Sequence, residues 1–235
     1  MRRPRALTAD TLFLVTLSAA AIAACAKVGE DVFSKETAPF DEPIRAWMLA
    51  RQSPAGRRFF LVITNVGSPT VIIPITAGIA MWLRGRYGLE IAGAVVLAPA
   101  VSLALFVAVK QLYRRKRPTG GETLHERTYA FPSGHAAASA AIFGTLAYVL
   151  RREGLLSRRA AATLGTLPTL LIGSSRVYLD VHWPTDVLGG WSLGALVTAF
   201  SAGVYERVRA DTRRHGAPAP APARGPLSTS TPKHS

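Results

Sequence analysis

Cysteine is almost missing from this chain: Cys25 stands alone among 235 residues. A single thiol excludes an intramolecular disulfide and a cysteine-built zinc site. Acidic residues are scarce as well, 14 Asp and Glu against 28 Lys and Arg, and they form no cluster from which a Mg²⁺ site would be expected. No internal repeat is present. What the chain has instead is apolar content, 49% hydrophobic residues and a mean hydropathy of +0.22, high for a soluble domain of this length. A net charge of +14 suits nucleic acid, an anionic membrane surface or a phosphorylated substrate. Its distribution decides among them. The bases sit at the ends of long apolar runs, as membrane topology signals do, so nucleic acid is not an expected partner.

A hydrocarbon core of ~30 Å needs ~20 apolar residues of helix. Six stretches qualify or nearly so: Thr8–Ala26, Phe59–Leu83, Leu89–Val109, Ala136–Leu150, Ala160–Tyr178 and Pro184–Tyr205. The fourth is short, and reaches span length if it starts at Ser133 and lets Arg151 and Arg152 snorkel at its far end. Pro69 and Pro74, Pro99 and Pro168 interrupt the second, third and fifth stretches, where kinks supported by neighbouring helices are expected. Gly189, Gly190, Gly194 and Ala195 allow close helix approach in the last. Asp41–Gln52, with Ile44, Trp47, Met48 and Arg51 at helical spacing, predicts a short amphipathic helix at the outer interface.

Arg2, Arg3 and Arg5, Arg84 and Arg86, Arg151, Arg152, Arg158 and Arg159, and the basic C-terminal residues fall on one side of such a six-span frame. That places both termini in the cytoplasm. The first apolar run also resembles a signal peptide with a lipoprotein-type cleavage site before Cys25; a retained first helix is the expectation. From about Asp211 onward Gly, Ala, Pro, Ser and Thr dominate and no apolar period survives, as in a disordered tail. The expected organisation is therefore a first span with the amphipathic segment (1–58), a catalytic membrane core (59–206) and a disordered basic cytoplasmic tail (207–235). The fold class is all-α, a polytopic bundle of six transmembrane helices.

Three segments concentrate phosphate-handling side chains, all on one side of the membrane. The first runs from Lys110 to Pro118. Lys110 and Arg117 are two helical turns apart, on one face of a helix that Pro118 would end at Arg117. Alone, it reads more readily as a polybasic juxtamembrane stop. The second is Pro132-Ser133-Gly134-His135, where Ser133 suits an N-cap, Gly134 permits close backbone approach and the free N–H groups of a helix start attract an oxyanion. His135 alone could be an interfacial hydrogen-bonding histidine. The third runs from Ser175 and Arg176 to His182 and Asp186, with Pro184 suited to open the last helix. Asp186 in the first turn can fold back onto a ring nitrogen of His182, a base with its orienting carboxylate. Trp183 reads as an interfacial belt residue, Asp180 as a loop charge or the partner of a nearby base, and Arg114, Arg115, Lys116 and Arg127 as headgroup or solvent contacts.

Together these segments resemble the type 2 phosphatidic acid phosphatase family, whose signature is Lys-x6-Arg-Pro, Pro-Ser-Gly-His and Ser-Arg-x5-His-x3-Asp. Lys110, Arg117 and Pro118 match the first motif, Pro132 to His135 the second, and Ser175, Arg176, His182 and Asp186 the third, over a resemblance that runs from Asp41 to Tyr205. It implies that His182 is a nucleophile forming a phosphohistidine, that Asp186 orients its ring and that His135 is the general acid and later base. Lys110, Arg117, Arg176, Ser133 and the backbone N–H of Gly134 would bind the phosphate oxygens. No metal and no cofactor are expected. The substrate would be a membrane lipid phosphate, undecaprenyl pyrophosphate first, phosphatidic acid or phosphatidylglycerol phosphate next, reached from the outer face of an inner membrane. A lipid-to-lipid phosphotransferase and a non-enzymatic membrane adaptor are the alternatives.

Overall fold

A computed structural model of the chain describes residues 9–118 and 128–214. Within them every regular element is a helix: α1 (Ala9–Ser34), α2 (Ala38–Leu49), α3 (Pro54–Val66), α4 (Pro69–Tyr87), α5 (Leu89–Tyr113), α6 (Gly134–Arg152), α7 (Arg158–Tyr178) and α8 (Pro184–Arg214). Their starts have local causes. Ser53 and Ser157 sit in extended conformation and accept hydrogen bonds from Gly56 N–H and Ala160 N–H, capping α3 and α7. Pro54, Pro69 and Pro184 begin their helices, where a missing N–H costs nothing.

The centre of the molecule is α6, packed against α5, α7 and α8, while α1 lies on α8, α4 on α5 and α3 on α7. Small residues set the spacing. A Cβ at Gly190 would come within 2.6 Å of the Ser133 carbonyl oxygen, and one at Gly194 within 2.5 Å of that of Ala137. The close approach expected of the last span is thus between the backbones of α6 and α8.

The stretch expected as one span, Phe59–Leu83, is two helices, α3 and α4, bent by 46° at Gly67 and Ser68. Pro69 ends one helix and opens the next rather than kinking a continuous one. Helix α1 from Asp10 and helix α8 to Asp211 are each long and apolar enough to cross a membrane, and the bent pair makes a third crossing if it counts as one span. Helices α6 and α7 have 19 and 21 residues but are rich in Ala, Gly, Ser and Thr, which suits packing against one another more than contact with lipid.

At the end of α6 far from His135, Arg151 and Arg152 form ion pairs. Arg151 pairs with Asp10 of α1; Arg152 pairs with Asp10 at 2.9 Å and with Glu206 of α8 at 2.5 Å. The anionic partners lie on neighbouring helices, so the bases tie the bundle together there. Helix α8 continues past Tyr205, with Arg209 3.4 Å from Glu153, so the first residues of the expected tail are helical. The rest of that tail lies outside the described residues.

Candidate active site

The third segment forms the floor of the site. Asp186, in the first turn of α8, is fully buried and both its oxygens are engaged. Oδ2 accepts the Trp183 N–H at 2.8 Å and lies 3.3 Å from His182 Nδ1; Oδ1 accepts from Arg115 Nη1 at 2.7 Å. The other ring nitrogen, His182 Nε2, lies 3.1 Å from Arg117 Nη1. His182 is thus held between a carboxylate on one nitrogen and a guanidinium on the other, 2% exposed. Arg117 is fixed by donating to the Val181 carbonyl at 2.8 Å, the Thr128 carbonyl at 2.7 Å and Thr128 Oγ1 at 3.0 Å.

The first segment departs from its expected shape. Helix α5 ends at Tyr113, and Arg114 takes a left-handed conformation (φ 47°) while its N–H closes on the Lys110 carbonyl. Lys110 and Arg117 therefore do not share one helix face. They converge by another route: Lys110 Nζ donates to the Tyr129 carbonyl, next in sequence to the Thr128 carbonyl that Arg117 holds. Leaving the helix four residues early frees Arg115 to turn inward, and its place corrects the reading of it as a headgroup contact. Arg115 lies among Asp186, Asp41 and Thr37, with a side chain only 16% exposed.

The second segment is locked to its neighbours through the main chain. Ala130 N–H donates to the Arg115 carbonyl at 2.8 Å, and Ser133 N–H donates to the Asp186 carbonyl at 2.9 Å. Ser133 occupies the N-cap position of α6, but its hydroxyl caps nothing. Ser133 Oγ is buried with no hydrogen-bond partner among the described residues. Gly134 follows against the Phe106 ring, which an added Cβ would approach to 2.7 Å. His135 stands in the first turn of α6, half-buried, beside Gly67 at the α3–α4 break. Arg176, near the end of α7, is buried; its guanidinium donates to Thr64 Oγ1 at 2.8 Å, and its carbonyl accepts from the Val181 and His182 N–H groups.

Contacts thus join Arg117, His182 and Asp186 directly, join Ser133 and Arg176 to them through the backbone, and bring Lys110 to the same loop. His135 lies at the start of the helix whose N-cap is bound to Asp186. Four residues of this constellation were not singled out as site residues from the sequence: Thr37, Asp41, Arg115 and Thr185. Asp41 is 1% exposed on α2, accepting from Thr185 N–H and Thr185 Oγ1, each at 2.8 Å. The predicted amphipathic helix is therefore present, but it turns an acid into the site, and Met48 packs against the two core clusters that hold Val177 and Tyr178. Asp180 has its base: Arg45 of α2 holds it at 2.5 and 2.8 Å, and this hydrogen bonding pushes the Arg45 pKa up. The Trp183 ring lies beneath the Arg45 and Arg115 guanidinium groups, at 5.4 and 5.7 Å, and donates to the Lys116 carbonyl.

The chain and its helical fold match known proteins. Residues 88–210, just over half of the chain, match the PAP2 superfamily. The phosphatidylglycerophosphatase B of Bacillus subtilis is 32% identical over 177 residues, 72% of this chain and 85% of the relative. An undecaprenyl-diphosphatase of Sulfolobus acidocaldarius is 32% identical over 59% of this chain and 66% of its own length. A decaprenylphosphoryl-5-phosphoribose phosphatase of Mycobacterium tuberculosis is 33% identical over 55% and 67%. Among solved structures, a transmembrane PAP2-type phosphatidylglycerolphosphate phosphatase from Bacillus subtilis superposes with TM-score 0.71 at 25% identity, over 83% of this chain and 96% of the other. The molecule is a membrane protein with the architecture of a phosphatase. The chain belongs to the PAP2 superfamily, and it is a lipid phosphatase, a hydrolase of phosphate ester or diphosphate bonds.

Proposed function

We propose that the chain removes a terminal phosphate from a membrane lipid through a phosphohistidine on His182, at a site on the outer face of an inner membrane, within a frame of six membrane crossings and with both termini in the cytoplasm. The observation that carries this is the ordered chain Asp186–His182–Arg117. With Asp186 accepting from Nδ1–H, the lone pair of His182 rests on Nε2, the nitrogen that faces the guanidinium. A phosphate bound to Arg117 would present its phosphorus to that nitrogen.

In the first step Nε2 attacks phosphorus, the P–O bond to the lipid breaks, and His135 gives a proton to the leaving oxygen. Asp186 stabilises the positive ring that results. In the second, His135 takes a proton from water, the hydroxide attacks phosphorus, the P–N bond breaks and inorganic phosphate leaves. Lys110, Arg117 and Arg176 neutralise the dianion; Ser133 Oγ, without a hydrogen-bond partner among the described residues, is available to donate to one phosphate oxygen, and the Gly134 N–H at the helix start to another. These cations supply the charge stabilisation that a metal ion gives elsewhere.

The relatives' names point to polyprenyl diphosphates and to phosphatidylglycerol phosphate as substrates, and undecaprenyl pyrophosphate, phosphatidylglycerol phosphate and phosphatidic acid form the panel to test. Phosphate release by the purified protein in detergent should persist with a chelator present, be inhibited by vanadate and fall by several orders of magnitude in His182→Ala. Full turnover by His182→Ala would rule out His182 as nucleophile.

A further inference from the structure

Arg115 lies outside the three motifs, yet it is the group that holds the carboxylate behind His182. One guanidinium nitrogen donates to Asp186 Oδ1 at 2.7 Å and Thr185 Oγ1 at 2.8 Å; the other donates to Asp41 Oδ2 at 2.6 Å and Thr37 Oγ1 at 2.7 Å. Asp41 in turn binds Thr185 N–H and Oγ1. The network spans the N-terminal end of α2, the exit of α5 and the first turn of α8, and both carboxylates are at most 1% exposed.

We infer that Arg115 and Asp41 are positioning residues for the reaction: they fix the rotamer and the ionised state of Asp186, and through it the tautomer of His182. The inference rests on the proposed role of His182. A guanidinium that already bridges two carboxylates cannot follow one of them, so Oδ1 is pinned and Oδ2 is left to Trp183 N–H and the imidazole. Charge balance points the same way. With both carboxyls ionised, Asp41, Arg115 and Asp186 would together carry one negative charge in a buried place, which the positive ring of a phosphorylated His182 would offset. Arg115 does not reach toward His182 Nε2, the nitrogen that would meet the phosphate; Arg117 does.

Asp186 meets Arg115 and His182 and lies in the field of Lys110; Asp41 of α2 adjoins Arg115, Arg117 adjoins His182, and the elements packed against α8 also carry His135 at the start of α6 and Arg176 near the end of α7. Removing the cation Arg115 favours the protonated carboxyl and moves the acid limb of the kcat–pH profile to higher pH. Removing the anion Asp41 favours the carboxylate and moves that limb to lower pH. A purely structural role gives no such opposition of sign.

The test compares wild type, Arg115→Met, Arg115→Lys, Asp41→Asn and His182→Ala in detergent, by phosphate release from phosphatidylglycerol phosphate over a pH series, with thermal melting as a check on folding. Arg115→Met should lower kcat about 10- to 100-fold with little change in KM. Arg115→Lys, which keeps the charge, should recover part of that loss, and the acid limbs of Arg115→Met and Asp41→Asn should move in opposite directions. Turnover that depends on His182 but keeps its wild-type pH profile in both Arg115→Met and Asp41→Asn overturns the positioning role alone. Turnover indifferent to His182→Ala overturns the reading of the site on which it rests. If Arg115→Met does not fold, Asp41→Asn decides by the direction of its limb: downward supports the inference, unmoved or upward refutes it.

Discussion

Among the described residues Ser133 Oγ has no partner, a buried hydroxyl in a site crowded with donors. Such a group costs stability where it stands, so keeping it there has a use: its hydrogen bond forms when an anion arrives. Ser133→Ala should leave the melting temperature unchanged within error or raise it, while turnover falls roughly 10- to 100-fold, the worth of a hydrogen bond to a charged oxygen. A loss of stability without a loss of rate would make Ser133 structural. Arg117 differs, because its side chain holds two carbonyls and faces His182. Arg117→Ala should cost about 10²–10³ in kcat. Residues of this kind were legible in the sequence because each brings its own chemistry at short range: Asp186 lies one helical turn beyond His182, and a carboxylate there can reach back. Arg115 was not. Nothing in a run of four bases tells which one turns inward, and its partner Asp41 is 74 residues away.

Helix ends and helix spacing decide where those side chains meet. Early exit from α5 at Tyr113, through a left-handed Arg114, sends Arg115 to one carboxylate pair and Arg117 to the imidazole. The sequence showed a proline at 118 and so a later end, since a non-glycine residue in left-handed conformation leaves no mark in composition. The bend between α3 and α4 was hidden for a related reason: a proline that starts a helix and one that kinks it look alike until the neighbours are known. Spacing was easier to read, because Gly190 and Gly194 recur one turn apart on the face toward α6. Gly194→Ala places a Cβ 2.5 Å from the Ala137 carbonyl oxygen and should cost about 1–3 kcal/mol, read as a lower melting temperature in detergent. Gly203→Ala, on the same helix with nothing within 4 Å, should be neutral or stabilising by up to about 1 kcal/mol. Equal effects at both positions would contradict the packing described for α6 and α8.

Across the whole molecule the two ends differ in chemistry. One gathers His182, Asp186, Arg117 and Ser133; the other is closed by Asp10, Arg152 and Glu206, which join α1, α6 and α8. The proposed orientation puts the first end outside. With Cys25 replaced by Ser, a cysteine at exposed Glu42 on α2 should react with an impermeant maleimide on intact cells, and one at Leu155 between α6 and α7 only after permeabilisation. The reverse pattern would invert the topology and with it the leaflet from which substrate arrives. The phosphohistidine on His182 is tested most directly by catching it. Acid-labile, alkali-stable phosphate should appear on the protein within a single turnover of a lipid labelled in its terminal phosphate, map to the peptide holding His182 and be absent from His182→Ala. Label bound to any other residue, or product formed by direct transfer to water with no protein-bound phosphate, would contradict the account.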